Sequence, residues 1–240
     1  MTDLPFKMLI ETPTEQYRAD TFWTKEPETI EWIKTFDEHD VIYDIGANIG
    51  IYTMYCAWLR PLMAIHAMEP DRRNFSRLQD NVLLNGFENA ACHNIALSNY
   101  SGIDRFYVRK AETGASGGQI GHSKDEEGRK FDARESVWIT VCSFYDFLHV
   151  FHAEEPDHIK IDVDGQEEAI IDGICSVATK KPIKSLLVEV NSLPNKKKII
   201  CMLKKIGLKP DDTLNNLENH SRIRREKEGI KAENIIFTRG

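Results

Sequence analysis

The sequence has no closely spaced pair of cysteines. Its five cysteines, Cys56, Cys92, Cys142, Cys175 and Cys201, are dispersed and odd in number. That speaks against a disulfide framework or a C-x-x-C zinc site, and the expectation is reduced thiols in a cytoplasm with no bound metal. No apolar run approaches the ~20 residues of a bilayer span, so no membrane span is expected. The opening stretch MTDLPFKMLIETPTEQ lacks a basic segment leading into a long apolar one, and no secretory signal is expected. Excess positive charge is missing too. A net charge of −7 repels a phosphate backbone at long range, so no nucleic-acid partner is expected. The basic clusters NKKK (195–198) and RIRR (222–225) are local exceptions, read first as solvated faces. There is no internal repeat, no low-complexity tract and no Walker Gly-Lys-Ser/Thr.

What is present is a soluble, globular composition: 240 residues, 41 % apolar and 29 % charged. This is enough chain for one large domain with a substantial core. Residues 1–40 are expected to form a helical or extended segment packing on a domain that occupies 41–240. From Val41 onward short apolar runs alternate with helical periods, which predicts an α/β fold with a largely parallel sheet. Strands are expected at 41–45, 64–69, 91–95, 158–162, 185–190 and 234–239. Between them, one helix should carry Ile51, Met54, Tyr55, Trp58 and Leu59. A second should be opened by Pro70 and Asp71, with Phe75, Leu78, Val82 and Leu83 inward, and closed at Gly86. A third should bury Ala169, Ile170, Gly173, Ile174 and Val177, and a fourth should be capped by Asn195 and ended by Gly207. The runs IDRFYVR and SVWITVCSF flank a stretch rich in glycine and charge. They predict an inserted hairpin with a long loop near 110–135, in which Trp138 and Phe144 read as core.

The stretch VIYDIGANIG (41–50) places a glycine turn where open α/β sheets bind nucleotides. A dinucleotide turn would carry a second glycine where Asn48 stands. Asp44, just ahead of the turn, would repel a pyrophosphate but suits an amino-bearing or cationic ligand. The second expected strand ends in Glu69, placed to accept hydrogen bonds from ribose hydroxyls. One acid at the turn, one for a ribose and no phosphate cradle fit S-adenosylmethionine.

The ordered set DIGANIGIYT (44–53), EPD (69–71), NIALSN (94–99), IKIDVDGQE (159–167) and LVEVN (187–191) resembles the FkbM family of S-adenosylmethionine-dependent methyltransferases. Asp164 stands where members commonly have Glu. The resemblance implies a Rossmann-like class I methyltransferase, a seven-stranded, mostly parallel sheet with helices on both faces and one antiparallel strand near the end, here with a hairpin inserted between strands three and four. It implies methylation of a hydroxyl oxygen, often on a sugar or small metabolite. It further implies that Asp44, Gly46, Ala47, Asn48, Gly50 and Thr53 surround the methionine end. By the same resemblance, Glu69 with Pro70 holds the ribose, and Asn94 and Ala96 lie near the adenine.

Methyl transfer to an alcohol needs alignment and a group that takes the hydroxyl proton. Ligands of open sheets lie beyond the carboxyl ends of the strands. Lys160, Asp162 and Asp164 should share one orientation there. Asp162 is the first choice as base or acceptor-orienting group, with Glu189 as its candidate partner. Paired acids could instead hold a divalent metal, but no oxygen-rich ligand set supports one. His66 reads as packing; His122 and His220 fall in loops that fix nothing. Acceptor recognition is expected in the 110–135 loop and the 215–233 segment, where RIRR would suit an anionic acceptor such as an acidic glycan or phosphorylated sugar. Three alternatives stand beside this reading. A nucleic-acid methyltransferase is disfavoured by DVDGQ in place of an Asn/Asp-Pro-Pro-aromatic run. An NAD-dependent oxidoreductase is disfavoured by Asn48. A non-catalytic nucleotide-binding module is disfavoured by the intact strand-end acids. Oligomeric state leaves no mark in the sequence.

Overall fold

The computed structural model describes residues 4–124, 129–190, 193–215 and 233–239. In chain order the elements are α1 (Pro13–Asp20), α2 (Phe22–Lys25), α3 (Pro27–Lys34), β1 (Val41–Ile45), α4 (Ile51–Leu59), β2 (Ala64–Met68), α5 (Arg72–Asn85), β3 (Ala90–His93), β4 (Ala96–Ser98), β5 (Gly102–Val108) and β6 (Gln119–Ile120). They continue with β7 (Glu135–Ser143), α6 (Phe144–His149), β8 (His158–Ile161), α7 (Glu167–Cys175), β9 (Ser185–Val190), α8 (Leu193–Lys205), β10 (Leu208–Pro210), α9 (Asp212–Asn215) and β11 (Glu233–Arg239).

Seven strands form one sheet in the order β10-β11-β9-β8-β1-β2-β3. This is the seven-stranded, Rossmann-like sheet expected from the sequence. Pairings among β9, β8, β1, β2 and β3 are parallel, and β11 runs antiparallel to both β9 and β10. β1 and β8 are buried along their whole length, as strands covered by helices on both faces must be. Alternation divides their side chains between two cores. Val41, Tyr43 and Ile45 pack with Ile159, Ile161, Leu186 and the α7 residues Ile170, Ile171 and Ile174. Ile42 and Ile65 face Trp32, Ile33, Met54 and Tyr55 on the other side. The segment ahead of β1 therefore supplies core. The Trp32 side chain is fully buried, and its indole N–H donates to Ser185 Oγ at 2.8 Å.

Four expectations need correction. Trp58, expected with Ile51, Met54, Tyr55 and Leu59 along the buried face of α4, is 43 % exposed near the end of that helix. Leu83 is 77 % exposed, because α5 turns the Leu78–Val82 stripe inward and position 83 falls outside it. Trp138 is 65 % exposed; it lies on the outer face of β7, under the Arg105 guanidinium at 4.9 Å, while Phe144 is buried. Asn195 lies inside the first turn of α8, which begins at Leu193, so it does not precede the helix as a cap.

The insertion between β3 and β8 is a second sheet, in the order β4-β7-β5-β6. β5 and β7 pair antiparallel from Gly102↔Val141 to Val108↔Glu135, which is the expected hairpin. Among the described residues no helix is long and apolar enough to cross a membrane.

Candidate functional site

The turn after β1 is fixed by its neighbours. The N–H groups of Gly46 and Ala47 both donate to Met68 O at 3.0 Å, tying the turn to the end of β2. Gly46 has φ +83°, and a Cβ there would run into the Asp162 carbonyl and the Val163 side chain. Glycine is required on both counts. Asn48 takes φ +53°, a left-handed conformation that asparagine tolerates. It thus supplies the backbone shape of the missing glycine while adding a side chain, whose amide donates to Ala115 O at 2.9 Å.

Two acids flank the turn at different depths. Asp44 is buried behind it, accepting from Thr53 Oγ1 at 2.6 Å and lying 3.6 Å from Lys160 Nζ. Glu69, just past β2, accepts from the N–H groups of Asn48 and Asp71 at 2.8 Å each. Burial pushes its carboxyl up to about 8, against the pull of those two donors. Asn94 braces this corner from behind, its amide donating to Glu69 O at 2.8 Å and Pro70 O at 3.2 Å.

The end of β8 brings Lys160 and Asp162 together at 2.9 Å, as their alternation predicts. Lys160 is 3 % exposed and Asp162 33 %, so the acid is the member that opens outward. Burial opposes the lysine's charge, but Asp162, Asp44 and Glu26 outweigh it and raise its pKa. Burial would likewise raise Asp162, yet the adjacent ammonium wins and holds that carboxyl below its ordinary value. Asp162 is thus an ionised but weakly basic carboxylate. Asp164 is engaged otherwise: its carboxylate accepts from Gly117 N–H, and its carbonyl from the Gln119 amide.

These groups meet in a cavity of about 180 Å³ at the carboxyl ends of the strands. Of the residues expected from sequence, Gly46, Ala47, Asn48, Glu69, Pro70, Lys160, Asp162, Asp164 and Glu189 line it. Ala96 lines an adjoining apolar recess of about 40 Å³ with Met68, Ile95, Leu97, Phe106 and Ile120. Asp44, Gly50, Thr53 and Asn94 line neither cavity. Gly50 caps α4, with φ +85°, and the other three act from behind the turn.

Among the wall residues that escaped the sequence reading are Arg18, Lys25, Tyr52 and Asn74. Lys25 donates to buried Glu26 at 2.6 Å, and the Tyr52 hydroxyl donates to the same carboxylate at 2.9 Å. A charged or polar residue within helical segments is ordinary, and only the fold points these inward. From the expected acceptor loop, Lys110, Ala115, Ser116 and Gly118 reach the wall. Residues 125–128 of that loop, His220, the RIRR cluster and most of 215–233 lie outside the described residues. Among the described residues no three His, Cys, Asp or Glu side chains gather as a metal site.

The model of the methyltransferase FkbM domain matches residues 44–226. The chain belongs to the FkbM methyltransferase family. Two solved structures share its fold. A precorrin-6y C5,15-methyltransferase from Geobacter metallireducens GS-15 is 14 % identical with TM-score 0.50, covering 100 % of this chain and 97 % of its own. Methyltransferase FkbM from Methylobacillus flagellatus KT is 12 % identical with TM-score 0.55, covering 94 % of this chain and 52 % of its own. The present chain thus spans about half of that second protein. No curated relative matches at a significant level. As a member of this family the chain is an S-adenosylmethionine-dependent methyltransferase by class. Arg18 and Lys25 precede the matched segment.

Proposed function

We propose that this chain transfers a methyl group from S-adenosylmethionine to a hydroxyl oxygen of a sugar, glycan or other small metabolite. The observation that carries this reading is one cavity joining the Gly46–Asn48 turn, buried Glu69 and the ionised Asp162 at the carboxyl edge of the sheet. The donor set suits the cofactor. Gly46 lets the turn pack directly on the end of β8, Glu69 offers a carboxyl to ribose hydroxyls, and the apolar recess beside Ala96 adjoins the cavity on the side proposed for the adenine. When bound, S-adenosylmethionine supplies a methyl group activated on a sulfonium, open to in-line displacement.

The protein's part is positioning and proton management. Asp162, partly open to the cavity and pinned by Lys160, holds the acceptor hydroxyl and receives its proton. Its low pKa makes orientation its larger contribution, because a base far below the working pH gains little from proton transfer. Lys160 fixes that carboxylate and is itself held by Asp44 at 3.6 Å and by the Tyr52 ring, whose centre lies 5.2 Å from the ammonium. Asp164 and Glu189 complete this wall. All five cysteines are free thiols, which supports a cytoplasmic setting.

Calorimetric titration with S-adenosylhomocysteine and NAD tests the cofactor, and transfer of labelled methyl groups to a panel of hydroxylated metabolites, glycans and RNA tests the acceptor. Selective S-adenosylhomocysteine binding with label entering a hydroxyl compound is expected. Binding of NAD alone would overturn the reading, and label entering RNA alone would replace its acceptor.

A further inference from the structure

Among the described residues lining the cavity, four are cations: Arg18, Lys25, Lys110 and Lys160. Three have a carboxylate within an ion-pair distance. Lys25 meets Glu26 at 2.6 Å, Lys110 meets Glu112 at 2.5 Å, and Lys160 meets Asp162 at 2.9 Å. Arg18 is different. Its Nε donates to Gly114 O at 2.7 Å, while its two terminal nitrogens bond to none of the described residues. A guanidinium held at a cavity wall, its fork bonded to none of the described residues, is matched to a planar anion that accepts two parallel hydrogen bonds.

The fork is held in place on both sides. α1, which carries Arg18, is closed at its start by a reciprocal capping box between Thr12 and Glu15. The acceptor of its Nε, Gly114, belongs to a loop fastened by Asn74, whose side chain accepts from Gly114 N–H at 2.8 Å and donates to Ala115 O at 3.1 Å. Asn48 of the glycine turn donates to the same Ala115 carbonyl. Arg18 therefore sits over the turn. Electrostatics order the wall in the same way: the charge of Arg18 acts on Glu69, whereas that of Lys25 acts on Asp162.

We propose that Arg18 is the carboxylate clamp of this site, its fork taking the carboxylate of the cofactor's aminoacyl end above the Gly46–Asn48 turn. The proposal rests on the S-adenosylmethionine reading given above. It adds to the cofactor site a residue from ahead of the matched family segment, which begins at residue 44.

The test is a cycle between protein and ligand. S-adenosylmethionine and its decarboxylated form, which lacks that one group, are titrated into wild type, Arg18→Gln and Arg18→Lys. A charge-assisted pair of this kind predicts that decarboxylation weakens binding to wild type by roughly 10- to 100-fold. In Arg18→Gln the two ligands should bind nearly alike, with Arg18→Lys between, since it keeps the charge and loses the fork. If Arg18→Gln weakens both ligands by one common factor, the residue merely supports the 112–118 loop and the clamp is refuted. An unchanged affinity for both refutes it as well. Wild type binding neither ligand defeats the cofactor reading itself; wild type binding both, with the ratio preserved in the variants, defeats Arg18 alone.

Discussion

Glu69 sits one residue beyond β2 with each carboxyl oxygen taken by a backbone N–H. Burial still pushes it to about 8, so near neutrality the folded protein holds a proton that an unfolded chain releases above its ordinary value of 4.5. The stabilising contribution of this group is complete below that ordinary value and is lost as pH rises through about 8. Ligand binding runs the other way, because ribose hydroxyls donate best to a carboxylate. Affinity for S-adenosylhomocysteine should therefore rise between pH 6.5 and 9 in wild type and stay flat in Glu69→Gln. Titration calorimetry across that range checks it, and a flat wild type would remove Glu69 from ribose contact. The position of Glu69 was legible from its distance to the glycine turn; its proton was not, since burial depends on α5 and the hairpin closing around it.

The hairpin shows the same division for a whole element. Alternation in 103–109 and 136–144 was enough to place β5 and β7, because pairing partners lie close in sequence. The loop between them carried no pattern beyond glycine and charge. Its described part is fastened by residues far along the chain: Asn48, Asn74, Asp164 and Arg18. Asn74→Ala removes two of these bonds and leaves a buried Gly114 N–H unpaired, at a cost of about 1–3 kcal/mol. Faster hydrogen exchange confined to 112–118, with weaker S-adenosylhomocysteine binding, is the expected result. Unaltered exchange in that loop would show that it does not depend on Asn74.

Across the molecule, three imidazoles, His158 buried and His66 and His93 half-buried, make the fold sensitive to acid. His66 and His93 stack between β2 and β3, with ring nitrogens 3.1 Å apart. Burial and then the neighbouring imidazole depress His93 to about 4, and burial lowers His66. His158 at the start of β8 is lowered by burial, although Asp40, 2.8 Å away, pulls the other way. Bases depressed in the folded state stabilise it above their ordinary value near 6.5, and that contribution is lost as pH falls through the depressed values. In a Glu69→Gln background, which removes that carboxyl's opposing pH dependence, urea unfolding from pH 7 to 4.5 should show falling stability, and adding His93→Asn should lessen the fall over the same interval. An equal loss would assign the acid sensitivity elsewhere. His158 also links α3 to the sheet, since Ser185 Oγ bonds both it and the Trp32 indole. This places the segment ahead of β1 within the folded core.

Alternating and continuous apolar runs determined the strands and the parallel sheet by themselves, because burial on two faces writes itself into adjacent residues. The glycine turn and its two acids were equally local, being set by backbone shape and strand length. Tertiary structure alone decided that Leu83 and Trp138 face outward, that Asn48 fills the glycine's conformation while guarding the loop, and that Arg18 reaches the cavity. Each of these depends on which distant segment packs alongside, and a contact made across the fold leaves no periodicity in the chain that makes it.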